Sequence, residues 1–265
     1  MDHAAPFLIT TPRKGRGATR RAMERAARIG VPFVPRDDAP IEDLFDLHGA
    51  RGIWVESADA PVIHTRKGEL AYHEGTAALR VKKNASAPGA LARALDLRPG
   101  DRVLDATLGL GFDALVIAAG LGPAGSVTGL EASPLLCELV RCGLDNYQYR
   151  PARLAQAASR ITTVCASHED FLEQCEPGSF DAVYFDPMFE STIEASSSMQ
   201  RLREIAVHAP LTDRSLILAR RAARRRVAVK RRRERPGRHG FDEFFPSGQS
   251  VGYGVFLCGN AADGE

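Results

Sequence analysis

From residue 101 onward the chain alternates short apolar runs with amphipathic stretches. "DRVLDATLG" reads as a buried strand, "FDALVIAAGLG" as a helix, "GSVTGLEAS" as a strand and "PLLCELVRCGLDNYQ" as a helix. "RITTVCAS" and "FDAVYFDP" continue the strands, and a helical region then leads to the strand "RRVAVKR". Alternation of this kind builds right-handed βαβ units on a parallel sheet, so the fold class is α/β. The tail "HGFDEFFPSGQSVGYGVFLCGN" breaks the pattern, because two strand-like runs around a Gly and Ser turn predict an antiparallel closing hairpin.

Residues 1–85 read as a separate small α/β domain, and residues 86–265 as the main domain. The first has a strand at "FLITT", a helix across "ATRRAMERAARIG" closed by Gly30, and a short strand at "PFVP". An amphipathic "IEDLFDLHG" follows, and "GIWVES", "PVIHTRKG" and "ELAYHEG" have the alternation of β-hairpin material.

A chain of 265 residues with 44% hydrophobic composition can bury a sizeable core. No run approaches the roughly 18 apolar residues of a membrane span, and the opening "MDHAAPFLIT" lacks the basic-then-apolar profile of a secretion signal. The expectation is a cytoplasmic protein. Cys137, Cys142, Cys165, Cys175 and Cys258 are odd in number and scattered, which argues against a disulfide framework or a metal site and makes them small core residues.

Charge changes the picture more. The formal net charge is only +2, yet from Arg201 to Arg238 fourteen Lys or Arg stand against three acids, and a second cluster, "PRKGRGATRR", lies near the N-terminus. Localised positive potential on a nearly neutral chain points to a polyanion, and nucleic acid is the leading partner class. Arg13, Lys14 and Arg16 in the first cluster, and Lys230, Arg231, Arg232 and Arg233 in the second, are the expected phosphate contacts.

In an open α/β sheet the ligand lies outside the carboxyl ends of the strands, and the first βα turn is the usual cradle. Here that turn is "LDATLGLGFDA". Gly109 and Gly111 allow close backbone approach, Thr107 lies between strand and glycines, and Asp113 opens the next helix. Glu131, followed by Ala132, ends the second strand, where a carboxylate can accept both hydroxyls of a ribose. Such a turn also suits NAD. Asp105 decides between the cofactors, because a carboxylate there repels a pyrophosphate but pairs with the ammonium group of S-adenosylmethionine. Ser167 and His168, ending the third strand, fall where an adenine edge is expected.

The fourth strand ends on Asp186, Pro187, Met188 and Phe189, facing the transferred methyl group. An exocyclic amine on a base is a poor nucleophile, since its lone pair is delocalised into the ring. The Asp186 carboxylate and the Pro187 carbonyl, placed around its N–H bonds, would draw the nitrogen towards a pyramidal form, and Phe189 can stack on the base. A cytosine-C5 reaction would need a Cys nucleophile near a strand end, and Cys165 lies within the third strand.

"LDATLGLGFDA", "GLEASPLL", "VYFDPMF" and "RVAVKR" together resemble the RsmJ-type methyltransferases, which modify guanine N2 in small-subunit ribosomal RNA; the likeness spans roughly residues 76–230. The resemblance implies a Rossmann-like class I methyltransferase with a mostly parallel seven-stranded sheet and a C-terminal antiparallel hairpin. It implies S-adenosylmethionine as cofactor and small-subunit ribosomal RNA or an assembling subunit as partner. Asp105, Gly109, Gly111, Asp113 and Glu131 would then be cofactor residues, and Asp186 to Phe189 catalytic. Ser167 stands where the family has an acid, and the opening "ITTPRKGRG" resembles Brix-type ribosome-assembly domains instead. A methyltransferase acting on DNA or a small amine, and a non-catalytic RNA-binding assembly factor, are the alternatives.

Overall fold

The computed structural model describes residues 6–13, 16–57, 61–83, 89–150, 152–187, 197–207, 210–233 and 240–259. These divide between two compact units, one within Met1–His73, Ala132–Gly143 and Phe189–Val207, the other within Glu74–Glu131, Leu144–Met188 and His208–Glu265.

The first unit carries β1 (Phe7–Thr10), α1 (Thr19–Ile29), α2 (Ile41–His48), β2 (Gly52–Val55), β3 (Val62–Thr65) and β4 (Gly68–Ala71). The strands form one sheet in chain order, β1 parallel to β2 and the other pairs antiparallel. Helix α1 turns Ala22 and Ala26 inward and ends at Gly30, whose φ of 69° lies in the left-handed region that favours glycine. Leu8, Ile41, Leu44, Phe45, Ile53 and Val55 make a core cluster. The strand expected at "PFVP" is only a single bridge, Ile9 to Phe33. Prolines at 32 and 35 leave too few backbone donors for a ladder.

The chain continues through α3 (Ala77–Lys83), α4 (Ala90–Leu95), β5 (Arg102–Asp105), α5 (Phe112–Gly120), β6 (Ser126–Glu131) and α6 (Pro134–Asn146). Then come α7 (Ala152–Ala158), β7 (Ile161–Cys165), α8 (His168–Glu173), β8 (Phe180–Phe185), α9 (Ser197–Ile205), α10 (Asp213–Ala222), β9 (Ala223–Arg232), β10 (Glu243–Ser247) and β11 (Val251–Leu257). The larger sheet runs β10-β11-β9-β8-β5-β6-β7. Strands β5 to β9 pair in parallel, and β11 is antiparallel to both β9 and β10, the hairpin read from the sequence. The chain winds outward from β5 through β6 to β7 and then returns to place β8 on the other side of β5. That reversal opens a crevice at the carboxyl ends of β5 and β8.

Successive residues of β8 face opposite sides of the sheet. Val183 and Phe185 join Leu104, Leu130, Leu172, Leu216, Val227 and Val229 in one core cluster, while Tyr184 reaches across the other face to α5. Cys137 is buried, Cys142, Cys175 and Cys258 are half-buried, and Cys165 is exposed. Cys165 thus departs from the expectation of a core residue, because β7 is an edge strand of the sheet. Among the described residues no helix is long and apolar enough to cross a membrane.

Gly129 in β6 supports the turn after β5. The Leu108 side chain lies where a Cβ on Gly129 would come within 2.6 Å of Cδ1, and the Leu108 N–H donates to the Leu130 carbonyl at 2.8 Å. Gly129→Ala should therefore cost about 1–3 kcal/mol by overpacking, seen as a lower urea midpoint at unchanged slope. An unchanged midpoint would mean that Leu108 yields without loss.

Candidate active site

Asp105 closes β5 and Asp186 follows directly after β8, on neighbouring strands. The segment between them is fixed from both sides. The Ala106 N–H donates to the Tyr184 carbonyl at 2.9 Å, and the Asp186 N–H donates to Thr107 Oγ1 at 2.6 Å. Gly109 (φ 53°) and Gly111 (φ 77°) then turn the chain into α5. At Gly109 a Cβ would meet nothing closer than the Thr107 carbonyl at 4.0 Å, so glycine is required there by conformation rather than by crowding.

Asp113, in the first turn of α5, is the point of convergence. It pairs with Arg80 of α3, accepts from the Tyr184 hydroxyl at 2.6 Å and lies 3.4 Å from Lys230 Nζ. Lys230, on β9, also donates to Asp186 Oδ2 at 2.7 Å. Burial works against a charge on Asp113, but Lys230, Arg80 and the Tyr184 hydroxyl outweigh it and hold the carboxyl below its ordinary range. Burial alone would favour a neutral Lys230 amine; Asp113 and Asp186 reverse this and keep it charged. Burial pushes the Asp186 carboxyl upward, and Lys230 opposes that push.

Asp105 is 1% exposed. Burial, helped by the nearby Asp113, drives its carboxyl well above the ordinary range, while the Thr107 N–H, 3.2 Å from Oδ1, draws it down. Arg80 and Lys230 are engaged by Asp113 and Asp186, so among the described residues no cation pairs with Asp105 and burial favours its neutral form; a ligand's ammonium group beside it would favour the charged form, which fits S-adenosylmethionine. Glu131 is 9% exposed and closes β6 at its carboxyl end.

Other expected residues lie differently. Ala132 follows Glu131 in the bend before α6. Ser167 caps α8, its Oγ accepting from the Asp170 N–H at 3.2 Å. His168 is buried, with Nε2 3.0 Å from Ser215 Oγ and its ring edge-on to Phe185. Phe185 faces away from Tyr184 across β8, so the His168 side chain packs on the sheet face opposite Asp113. Pro187 is half-buried beside Asp186. Lys14, Met188 and Phe189 lie outside the described residues, as does the Arg16 side chain. Arg13 donates to the Asp38 carbonyl at 2.8 Å.

The β9 cations form no single phosphate-facing row, because alternate residues face opposite sides. Lys230 sits between carboxylates, Arg231 lies over the Phe241 ring, and Arg233 is exposed. Lys230, expected as a phosphate contact, lies between two carboxylates, Asp113 and Asp186. Arg80 and Tyr184 were also missed. For Lys230 the sequence carried no signal: it is the pairing of Val229 with Phe185 that brings the next residue of β9 level with Asp186.

Replacing Glu131 with Ala should weaken S-adenosylhomocysteine binding by about 1.5–3 kcal/mol, the range for a hydrogen bond to a charged group. Titration calorimetry measures it, and an unchanged affinity would remove Glu131 from the site.

The family described as "Putative SAM-dependent methyltransferase" matches residues 61–240. The Bacillus subtilis protein YpiP is 30% identical over 226 residues, covering 84% of this chain and 88% of its own length. Ribosomal RNA small subunit methyltransferase J of Pseudomonas aeruginosa is 31% identical over 240 residues, covering 89% of this chain and 88% of that protein. The crystal structure of the SAM-dependent methyltransferase NGO1261 from Neisseria gonorrhoeae superposes with a TM-score of 0.64 at 22% identity, over 97% of each chain, and supports the fold. The family match spans the crevice carboxylates, and the relatives extend along most of the chain: it belongs to the S-adenosylmethionine-dependent methyltransferases of the ribosomal RNA small subunit methyltransferase J type.

Proposed function

We propose that this methyltransferase modifies an exocyclic amine of a nucleobase, guanine N2 in small-subunit ribosomal RNA, with Asp186 as the group that engages the amine. The observation that carries this reading is the placement of Asp186: beside the glycine turn, its backbone held by Thr107 and its carboxylate by Lys230. The ribosomal substrate class is taken from the Pseudomonas relative's name.

S-adenosylmethionine, when bound, supplies an electrophilic methyl group. Asp105 would meet the cofactor's ammonium group and Glu131 its ribose, and the Gly109–Gly111 turn would let the backbone approach it. Lys230 opposes the upward push of burial on the Asp186 carboxyl and fixes its Oδ2. A substrate N–H then donates to the carboxylate, raising electron density on nitrogen in the transition state, and the same carboxylate can take the proton released after transfer. Tyr184, raised by burial and by Asp113, stays a neutral donor and holds Asp113 in place. In this reading Pro187 contributes its carbonyl and Phe189 a stacking surface.

Asp186→Asn keeps the shape and removes the charge. Single-turnover methyl transfer should fall roughly 100-fold or more, with S-adenosylhomocysteine affinity near that of the unmodified protein; near-normal turnover would make Asp186 an ordinary strand-end residue. Lys230→Met gives a second test with a defined sign. Lys230 opposes the upward push of burial on Asp186, so without it the carboxyl titrates at higher pH, and the acid limb of the turnover profile should move upward. Lys230→Arg should restore it in part. A limb that stays in place in the Met variant would show that Asp186 does not titrate in the reaction.

A further inference from the structure

Much of the basic run near β9 is matched by acids within its own unit. Arg224 and Arg225 face Asp181, Arg225 also bonds Asp101 at 2.6 Å, Arg226 pairs with Glu243 and Lys230 with Asp113 and Asp186. A local excess of positive charge lies instead on one face within the first unit. Arg21, Arg25 and Arg28 stand at i, i+4 and i+7 on α1 and so share one face, and Arg141 joins them from α6. Two carboxylates lie beneath: Glu56, 2% exposed, and Glu138, 1% exposed. Glu138 pairs with Arg25, with Arg28 at 3.1 Å through Oε2, and with Arg141. Glu56 accepts from Arg25 Nε at 2.7 Å and from Trp54 Nε1 at 2.9 Å, with Arg21 3.8 Å away. Cys142 adds no charge, because burial pushes its thiol up to about 11. Four guanidinium groups thus surround two carboxylates.

The four differ in role. Arg25 is 16% exposed, bridges both carboxylates and stacks over Trp54, so it belongs to the architecture. The side chains of Arg21, Arg28 and Arg141 are 47%, 46% and 39% exposed. A guanidinium has five donors in a planar fork; those of Arg28 and Arg141 are partly held by Glu138, and Arg21 stands 3.8 Å from Glu56, so each partly exposed fork is anchored or drawn beside a buried carboxylate. Seven residues of helix separate Arg21 and Arg28 by about 10.5 Å along the axis, too far for one phosphate and suited to successive phosphates of a strand.

We propose that Arg21, Arg28 and Arg141 form a surface that grips the phosphodiester backbone of an RNA strand. This rests on the RNA substrate proposed above. It assigns backbone contact to α1 and α6 rather than to β9, and the buried glutamates act as positioning residues for it.

The probe is a short fluorescein-labelled single-stranded RNA of mixed sequence, followed by anisotropy across a salt series with the full chain. The double variant Arg28→Gln/Arg141→Gln should reduce the logarithmic salt slope by about 1.4, two contacts at about 0.7 each, while S-adenosylhomocysteine affinity is unchanged. Since that variant leaves Glu138 with fewer partners, Arg21→Gln serves as a second test that spares every bond to Glu138; it should reduce the slope by about 0.7. Folded variants with the original slope, beside a salt-dependent unmodified protein, overturn this surface and leave the RNA reading standing. An unmodified protein whose RNA binding ignores salt overturns both. Poly-L-glutamate displacing RNA at equal charge concentration would make the surface one for acidic proteins, and would also overturn it.

Discussion

The second unit is organised around one buried carboxylate, Asp113. Arg80 from α3, Tyr184 from β8 and Lys230 from β9 converge on it, so three elements meet at the first turn of α5. Breaking a buried ion pair on one side typically costs about 3–5 kcal/mol, because the remaining charge is left without compensation. Asp113 therefore couples stability to chemistry. The lysine it helps to fix is the one that holds Asp186, and the tyrosine it accepts from belongs to the strand that leads into Asp186.

The same carboxylate explains why the crevice fits a cation. Asp113 has its charge matched by Arg80 and Lys230, and Asp186 shares Lys230, which leaves Asp105 buried with a backbone N–H and two acidic neighbours. A ligand that brings positive charge to Asp105 relieves this, and one that brings a pyrophosphate makes it worse. Under the role proposed for Asp105, cofactor choice follows from the charges around one helix turn.

Much of this was legible in the sequence because it rests on local rules. The strand and helix alternation after residue 101, the hairpin around Gly248 and the positive-φ glycines 109 and 111 each follow from periodicity or backbone conformation. What was hidden depends on which strands are neighbours. Lys230 looked like one of four consecutive cations until the pairing of β8 with β9 set it level with Asp186. His168 looked available until Ser215, distant in sequence, met its ring. Arg141 lay unremarked in a helix, because its relation to Arg28 through Glu138 spans more than a hundred residues. Charge runs were the least reliable guide: local composition does not show which arginines find acids in the folded chain.

Methyl transfer to a guanine amine of small-subunit ribosomal RNA is the activity proposed for this chain. It is tested most directly by mass-spectrometric comparison of nucleosides from small-subunit ribosomal RNA of cells with and without the protein. Loss of one equivalent of N2-methylguanosine, restored by the unmodified gene, is the predicted result. An identical nucleoside composition in the two RNAs would contradict the account.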